Sequence, residues 1–438
     1  MMKPVFLILF LLGAIPVWSQ VQPSASGGGD DERMQMPGPV SGEAYPMTGT
    51  DQERSNFLSA GIGFIAGYND NVYAGGNAAA TSEGTFSVLP SIAVDETTPR
   101  RHESLSYNSG FIFYEPTSAL NSVQQSGNAT FLYRMSVRTR LTISDSFQQS
   151  SNPFNQASLP GEPISGSPQN STANVINPFA DQISNTGNVG LNYQYAKNGM
   201  IGLSGSTYLL NFPNPAQAAG LNNSISGTGS AFLSRRLTSS QYLGAIYNYS
   251  DFMTHPVDST TQTQTISMFY TLFLSRTFSI SATGGPQHYA STYLGVANSS
   301  AWTPSYSASM SLQRRHGSIS GQFSRTVTGG GGLLGTYYSS GGSASEGWQF
   351  ARTWNASASA GYFVTSNATP IQFSANLGGH SLMGMISLTH QLGQRLNTQF
   401  AYLRSSYSYN GIAAVSSTPG MDRVTFTISY YFSRPLGR

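Results

Sequence analysis

Val424-Thr425-Phe426-Thr427-Ile428-Ser429-Tyr430-Tyr431-Phe432 is the stretch that decides the fold. Val424, Phe426, Ile428, Tyr430 and Phe432 share one phase of a two-residue period; Thr425, Thr427, Ser429 and Tyr431 share the other. Successive side chains of a strand point to opposite faces, so this is a strand with one apolar face. The pattern recurs upstream. Tyr306, Ala308, Met310 and Leu312 alternate with Ser305, Ser307, Ser309 and Ser311. Phe278, Ile280 and Ala282 alternate with Ser279, Ser281 and Thr283, and Val189, Leu191, Tyr193 and Tyr195 with Gly190, Asn192 and Gln194.

The polar phase separates two all-β architectures. A soluble sandwich turns that phase to bulk water and covers it with charged residues such as Lys and Glu. Here it carries Ser, Thr, Asn, Gln and Gly. The other phase carries aliphatic residues, with Tyr and Phe near the strand ends. An apolar band outside, aromatic girdles at its rims and a polar lumen describe a transmembrane barrel. Backbone in lipid must satisfy its own hydrogen bonds, so such strands close on themselves.

Composition supports the same conclusion. Only 9% of the 438 residues are charged, where soluble domains carry about a quarter. Aromatic residues make up 12%, too many for a disordered chain. A net charge of +2 supplies no field for nucleic acid. There is no cysteine, hence no disulfide, thiolate metal site or thiol nucleophile.

Residues 1–19 read as a secretory signal peptide: Lys3 for the charged start, Val5 to Val17 for the apolar stretch, Ser19 before the cleavage point. Residues 20–55, with Gly27-Gly28-Gly29 and Pro37-Gly38-Pro39, lack periodicity and read as a disordered periplasmic linker. The barrel is expected over 56–432, with a tail at 433–438.

The turns give a count. Upward strands, periplasm to outside, are expected near 56–68, 102–114, 138–149, 200–211, 240–251, 277–288, 318–328, 371–380 and 397–409. Downward strands are expected near 84–95, 123–133, 185–196, 223–234, 262–274, 303–313, 348–362, 383–391 and 424–432. That makes about 18 antiparallel strands, with 16 as the alternative if the pair around 371–391 fails. Pro90 is awkward inside a strand, since it cannot donate to a ladder. Short connections such as Ser234–Thr238 and Gln313–Gly317 alternate with long ones. The long ones include Ser150–Ser184, with five prolines, and the glycine-rich Gly329–Gly347, read as a mobile outer loop. Ser150–Ser184 reads either as a solvent loop or as a loop folded into the lumen.

Gly61-Ile62-Gly63-Phe64, Tyr68-Asn69-Asp70-Asn71, Tyr133 to Arg138, Leu141 to Phe147 and the closing Tyr430-Tyr431-Phe432 resemble the β-barrel porin 2 family of Gram-negative outer membranes. The likeness spans Asn56 to Phe432. It implies an outer-membrane location and insertion by the barrel-assembly machinery. For some relatives it also implies a place beside exopolysaccharide export and its proteins. It carries no catalytic or binding residue across.

The polar phase nominates lumen residues: Ser204, Ser206, Thr228, Ser230, Thr265, Ser267, Ser279, Ser281, Ser307, Ser309, Gln322, Ser324 and Gln399. A wall of hydroxyls and amides suits passive diffusion of small, neutral, hydrophilic solutes. Tyr208, Tyr242, Phe269 and Tyr431 could stack on a polysaccharide or merely fill the wall. A structural or adhesive barrel without an open pore is the remaining alternative.

Nineteen Arg and two Lys form the basic set. Arg134, Arg138, Lys197, Arg235, Arg236, Arg276, Arg314, Arg315 and Arg395 fall at expected periplasmic turns. They are strand-end solubilisers or a collar for anionic lipid headgroups, since charge costs least at an interface. Asp145, Arg325 and Arg352 are expected on the outward phase near the extracellular ends, as contacts for lipopolysaccharide phosphates or a metal. No pair among the six histidines has helical metal spacing. His380 and Ser381 point to opposite faces and make a poor base and nucleophile. No cofactor and no catalysis is expected.

Overall fold

The structure is a computed structural model that describes residues 56–73, 80–151, 180–218, 221–293, 298–330, 333–368, 378–410 and 420–436. The expected signal peptide and linker lie outside these residues, as does 152–179 of the Ser150–Ser184 connection.

Eighteen strands run in chain order: β1 Phe57–Asn69, β2 Glu83–Thr97, β3 Arg101–Glu115, β4 Ser122–Arg134, β5 Thr139–Ser150, β6 Gln182–Ala196, β7 Gly199–Asn211, β8 Asn223–Thr238 and β9 Gln241–His255. Then follow β10 Ser259–Phe273, β11 Phe278–Tyr293, β12 Ser299–Arg314, β13 Gly317–Gly330, β14 Leu333–Ala351, β15 Trp354–Asn367, β16 Gly378–Gln391, β17 Leu396–Asn410 and β18 Gly420–Pro435. Each pairs antiparallel with its sequence neighbours, and β1 closes on β18 from Phe57–Pro435 to Asn69–Arg423. β18 thus runs three residues past Phe432.

The register fixes two faces. Val424, Phe426, Ile428, Tyr430 and Phe432 are exposed, whereas Thr427 and Ser429 are buried on the other side. The exposed phase continues around the barrel through Leu203, Met268, Met310, Ile386 and Phe400. A closed sheet with its apolar side chains outward and hydroxyls inward leaves no backbone edge within the hydrocarbon layer. Trp348, Phe350, Trp354 and His390 form a chain of ring contacts beside the β14–β15 turn, one arc of an aromatic girdle.

Eighteen strands were expected and eighteen are found, but β14 to β16 differ from expectation. Leu333–Ala351 is a strand, not a mobile glycine-rich loop. The expected strand 348–362 spans the two-residue turn Arg352–Thr353, and 381–382 lies inside β16 rather than in a turn. Glycine normally weakens a strand; here Gly341 is tolerated because the Phe363 ring lies over it, in the space a Cβ would take. Pro90 keeps its strand because the β2–β3 ladder skips its rung, passing from Val88–Phe111 to Ser91–Asn108.

Inside, aromatic rings lie flat along the wall where a neighbouring strand offers glycine. Phe269 covers Gly244, where a Cβ would collide with the Leu233 carbonyl oxygen and the Phe269 ring. Met200, Phe232, Tyr242, Ile246 and Phe269 form one buried cluster on the lumen side of β7–β10, with Phe273 against it.

Candidate functional site

The lumen is the candidate site, and its two ends differ. At one end the connections are short: residues 98–100, 135–138, 197–198, 239–240, 274–277, 315–316, 352–353 and 392–395. This is the periplasmic end by the usual asymmetry of outer-membrane barrels. Arg134, Arg138, Lys197, Arg235, Arg236, Arg276, Arg314, Arg315 and Arg395 all fall at or beside these turns. Most are exposed; Arg236 is partly fixed by bonds from Nε and Nη2 to the Asn198 side-chain oxygen, at 3.2 and 3.1 Å.

Arg352 belongs to the same end. It sits in the β14–β15 turn, contrary to its expected extracellular place, because the strand break was misplaced. Asp145 is also corrected: it lies mid-way along the twelve residues of β5, paired with Ala129 and Gly187 on the outward phase. Its carboxylate accepts both contacts of the Asn185 amide nitrogen, at 3.0 and 3.2 Å, which lowers the cost of a lipid-facing charge. Arg325 is on the outward phase of the upper half of β13, with its guanidinium 5.7 Å from the Tyr338 ring centroid. Among the described residues no group of three or more His, Asp or Glu side chains is placed to hold a metal.

At the other end strands and loops fold inward. Val72, Ile112 and Tyr114 pack together with Tyr73 and Leu120. Glu83, buried there, accepts from the Thr117 backbone N–H at 3.1 Å and from its hydroxyl. Ala180, Leu210, Phe212 and Ala218 form a second cluster.

The third inward element is the upper part of β13 and β14. The β12–β13 ladder rises from Arg314–Gly317 to Tyr306–Arg325 and stops there. β13 continues paired to β14 but leans across the lumen. The Val327 N–H donates to Gln287 Oε1 at 2.9 Å, Gln287 Nε2 donates to the Val327 carbonyl at 3.2 Å, and the Thr261 and Thr336 hydroxyls meet at 2.8 Å. A Cβ on Gly329 would run into the Phe252 ring, so glycine permits this approach. Below the hairpin lies a cavity of about 410 Å³, lined by Ser226, Thr228, Asn248, Ser250, Thr261, Thr263, Thr265 and Ser267, with Tyr208 at its side.

The register places all thirteen nominated lumen residues on the inward phase. Ser204 faces Ser230 and Ser206 faces Thr228; Ser281 faces Ser309 and Ser307 faces Ser324. Gln322 faces Ser309, Gln399 faces Thr427, and Ser279 faces Ser311. They are not equivalent. Ser204, Ser309 and Gln322 stand open, whereas Thr265, Ser267, Ser279 and Ser281 lie buried between larger neighbours. Thr228, Thr265, Ser267, Ser307 and Ser324 share the cavity. Of the four aromatic candidates, Tyr242 and Phe269 belong to the buried wall cluster, and Tyr431 packs on Ile65 and Leu89. Tyr208 alone of the four lines the cavity. His380 takes the outward phase and Ser381 the inward one.

The arrangement settles location. This chain is an outer-membrane β-barrel. Its apolar exterior, ring girdle and closed ladder admit no water-soluble alternative.

No protein-family model and no curated protein matches the chain. Solved structures similar to it are barrels. One is described as the FrpB iron transporter of Neisseria meningitidis: 10% identity, 87% of this chain and 82% of that chain covered, TM-score 0.43. Another is the outer membrane protein opdK of Pseudomonas aeruginosa: 11% identity, 86% and 99% covered, TM-score 0.40. A third is described as a bacterial polysaccharide outer membrane secretin: 9% identity, 87% and 100% covered, TM-score 0.35. At these values the likeness is architectural and brings no solute to this chain.

The inward hairpin was not among the features expected from the alternation. One clue was present: Pro286 and Pro304 both interrupt alternating runs, and the structure sets them face to face across β11–β12.

Proposed function

We propose that the barrel is a passive channel for small, neutral, hydrophilic solutes, of the β-barrel porin type. The observation that carries this reading is the chemistry of the cavity under the β13–β14 hairpin: mostly hydroxyls and amides from β8–β11, with Ile246 and Phe252 beside them and the Ser324–Gly329 segment, Arg325 included, completing the wall. Neutral donors and acceptors exchange hydrogen bonds with a hydroxylated solute at little net cost. Apart from Arg325 they bring no fixed charge to hold or reject an ion. Size exclusion then comes from the hairpin, which narrows a barrel wide enough at eighteen strands to hold water.

Planar-bilayer recording of the refolded chain tests this. Step conductances with weak ion selectivity, reduced by neutral sugars up to a size cut-off, are expected. Absence of conductance would remove the reading.

The basic residues at the periplasmic turns are proposed to hold anionic headgroups of the inner leaflet. Exposed Arg235, Arg314 and Arg315 sit where a charged side chain reaches phosphate without entering hydrocarbon. Insertion by the barrel-assembly machinery, on the closing strand, belongs to the same proposal.

A further inference from the structure

The upper third of the β12–β13 seam is closed without a ladder. Above Tyr306–Arg325, β12 runs on to Ser299 and β13 to Gly330, and the two are not paired. Pro304 explains where the ladder ends, since it has no N–H to offer. Pro286 faces it on β11, and the β10–β11 ladder likewise skips that rung. β13 instead passes inside β12, where Gln287 of β11 holds Val327, and Thr303 is buried behind it. The wall is therefore overlapped here rather than stitched. Its last link is the Ser305 hydroxyl, which donates to the Arg325 carbonyl at 3.3 Å.

Two cavities meet at this point. The hydroxyl-lined lumen cavity includes Ser305 and Tyr306 in its wall. The same two residues border an apolar groove of about 460 Å³ formed by β11 and β12, with Gly284, Pro286 and Pro304 on its floor. Trp302 and Tyr306, both exposed on the lipid-facing phase, flank it. The paired part of β12, Tyr306 to Arg314, rises roughly 21 Å at about 3.4 Å per residue and about 40° tilt, near the height of an apolar band. The unpaired edge thus begins at the outer interface, where headgroups and water can satisfy it; deeper in lipid it could not stand.

We propose that this seam is a lateral portal, through which an amphiphile with a neutral hydroxylated head and an aliphatic chain passes between the lumen cavity and the outer leaflet. The head takes the Ser/Thr/Asn wall while the chain lies in the Gly284–Pro286–Pro304 groove. The head's recognition rests on the reading of the lumen as a site for neutral hydroxylated solutes.

The chain has no cysteine, so a staple can be introduced cleanly. Ser305 and Thr326 occupy the rung above the last paired one, and the double variant S305C/T326C is to be compared oxidised and reduced. The probe is hexadecyl glucoside with a diazirine on the sugar, delivered within the vesicle bilayer. Labelling of lumen residues such as Ser250 and Thr263 is expected in the native chain and in the reduced variant. It should be lost on oxidation and regained with reductant. Pro304→Val, which returns a donor to the β12 edge, should lower the labelling without a staple. Liposome swelling in glucose is run in parallel on the native chain, as a separate readout of the channel. Lumen labelling that is absent, or equal in the oxidised and reduced states, overturns the portal. If glucose fails to enter even through the native chain, the channel reading falls, and the labelling alone still decides the portal.

Discussion

The periplasmic and outer halves of this barrel are built from the same strands but by different rules. Below, every hairpin turns within a few residues and the ladders run down to the turns, with register shifts in the last rungs of β6–β7, β8–β9 and β14–β15, and β12–β13 paired from Arg314–Gly317 upward. The charges there are mostly Arg. Above, three groups of residues fold inward, a ladder ends early, and acidic side chains such as Asp70, Glu83, Glu115, Asp258 and Asp422 sit near the rim. The difference teaches that closure of the wall and narrowing of the lumen are separated along the axis. The lower half closes the sheet, and the upper half fills part of its interior.

Removing the hairpin should break the contrast most strongly. Replacing Val327–Thr336 with an Asn-Gly turn removes the segment held by Gln287 and Thr261. Single-channel conductance should rise several-fold and the sugar cut-off should move to larger sizes. An unchanged conductance would mean that the narrowest point lies elsewhere.

The wall cluster tests the lower half. Phe269→Ala empties a side chain that is 1% exposed among Met200, Phe232, Tyr242 and Ile246. A loss of about 3 kcal/mol is expected from such a truncation, read from denaturant unfolding in detergent. Conductance should change little, since these rings fill the wall rather than face the channel.

A finer probe is the Thr261–Thr336 pair, whose hydroxyls are buried. Thr336→Val leaves one hydroxyl unpaired and should cost about 1 kcal/mol, seen as more frequent current fluctuations. The double change to Val at both positions should recover part of the loss.

The smallest effect belongs to the collar. Changing Arg235, Arg236, Arg314 and Arg315 together to Gln should shift stability by less than about 1 kcal/mol. It should nevertheless lower the anionic phospholipid that co-purifies with the barrel. Unchanged lipid content would leave these residues as strand-end solubilisers.

The alternation that gave barrel class and phase was legible because lipid on one side and water on the other impose a period of two on nearly every strand. It was enough to place Ser204 with Ser230 and Ser307 with Ser324 on one face. What it could not supply were turns made without turn residues. Arg352–Thr353 reverses the chain with neither Gly nor Pro, while Gly341 and Gly342 stay in a strand because both neighbours pair with it. Two boundary errors cancelled, so the total agreed although Arg352 was assigned to the wrong end. The inward hairpin was illegible for a different reason. Its contacts, Gln287 with Val327 and Thr261 with Thr336, join strands that are not neighbours; Pro286 and Pro304 mark where a ladder ends, but local patterns do not say which strands then meet.

The most direct measurement compares two single cysteines on adjacent residues of β12, in a chain that has none of its own. Ser309 takes the inward phase and Ala308 the outward one. A membrane-impermeant maleimide, added to the barrel in vesicles, should label S309C rapidly and A308C hardly at all. Rapid labelling of A308C with S309C protected would contradict a hydroxyl-lined watery interior.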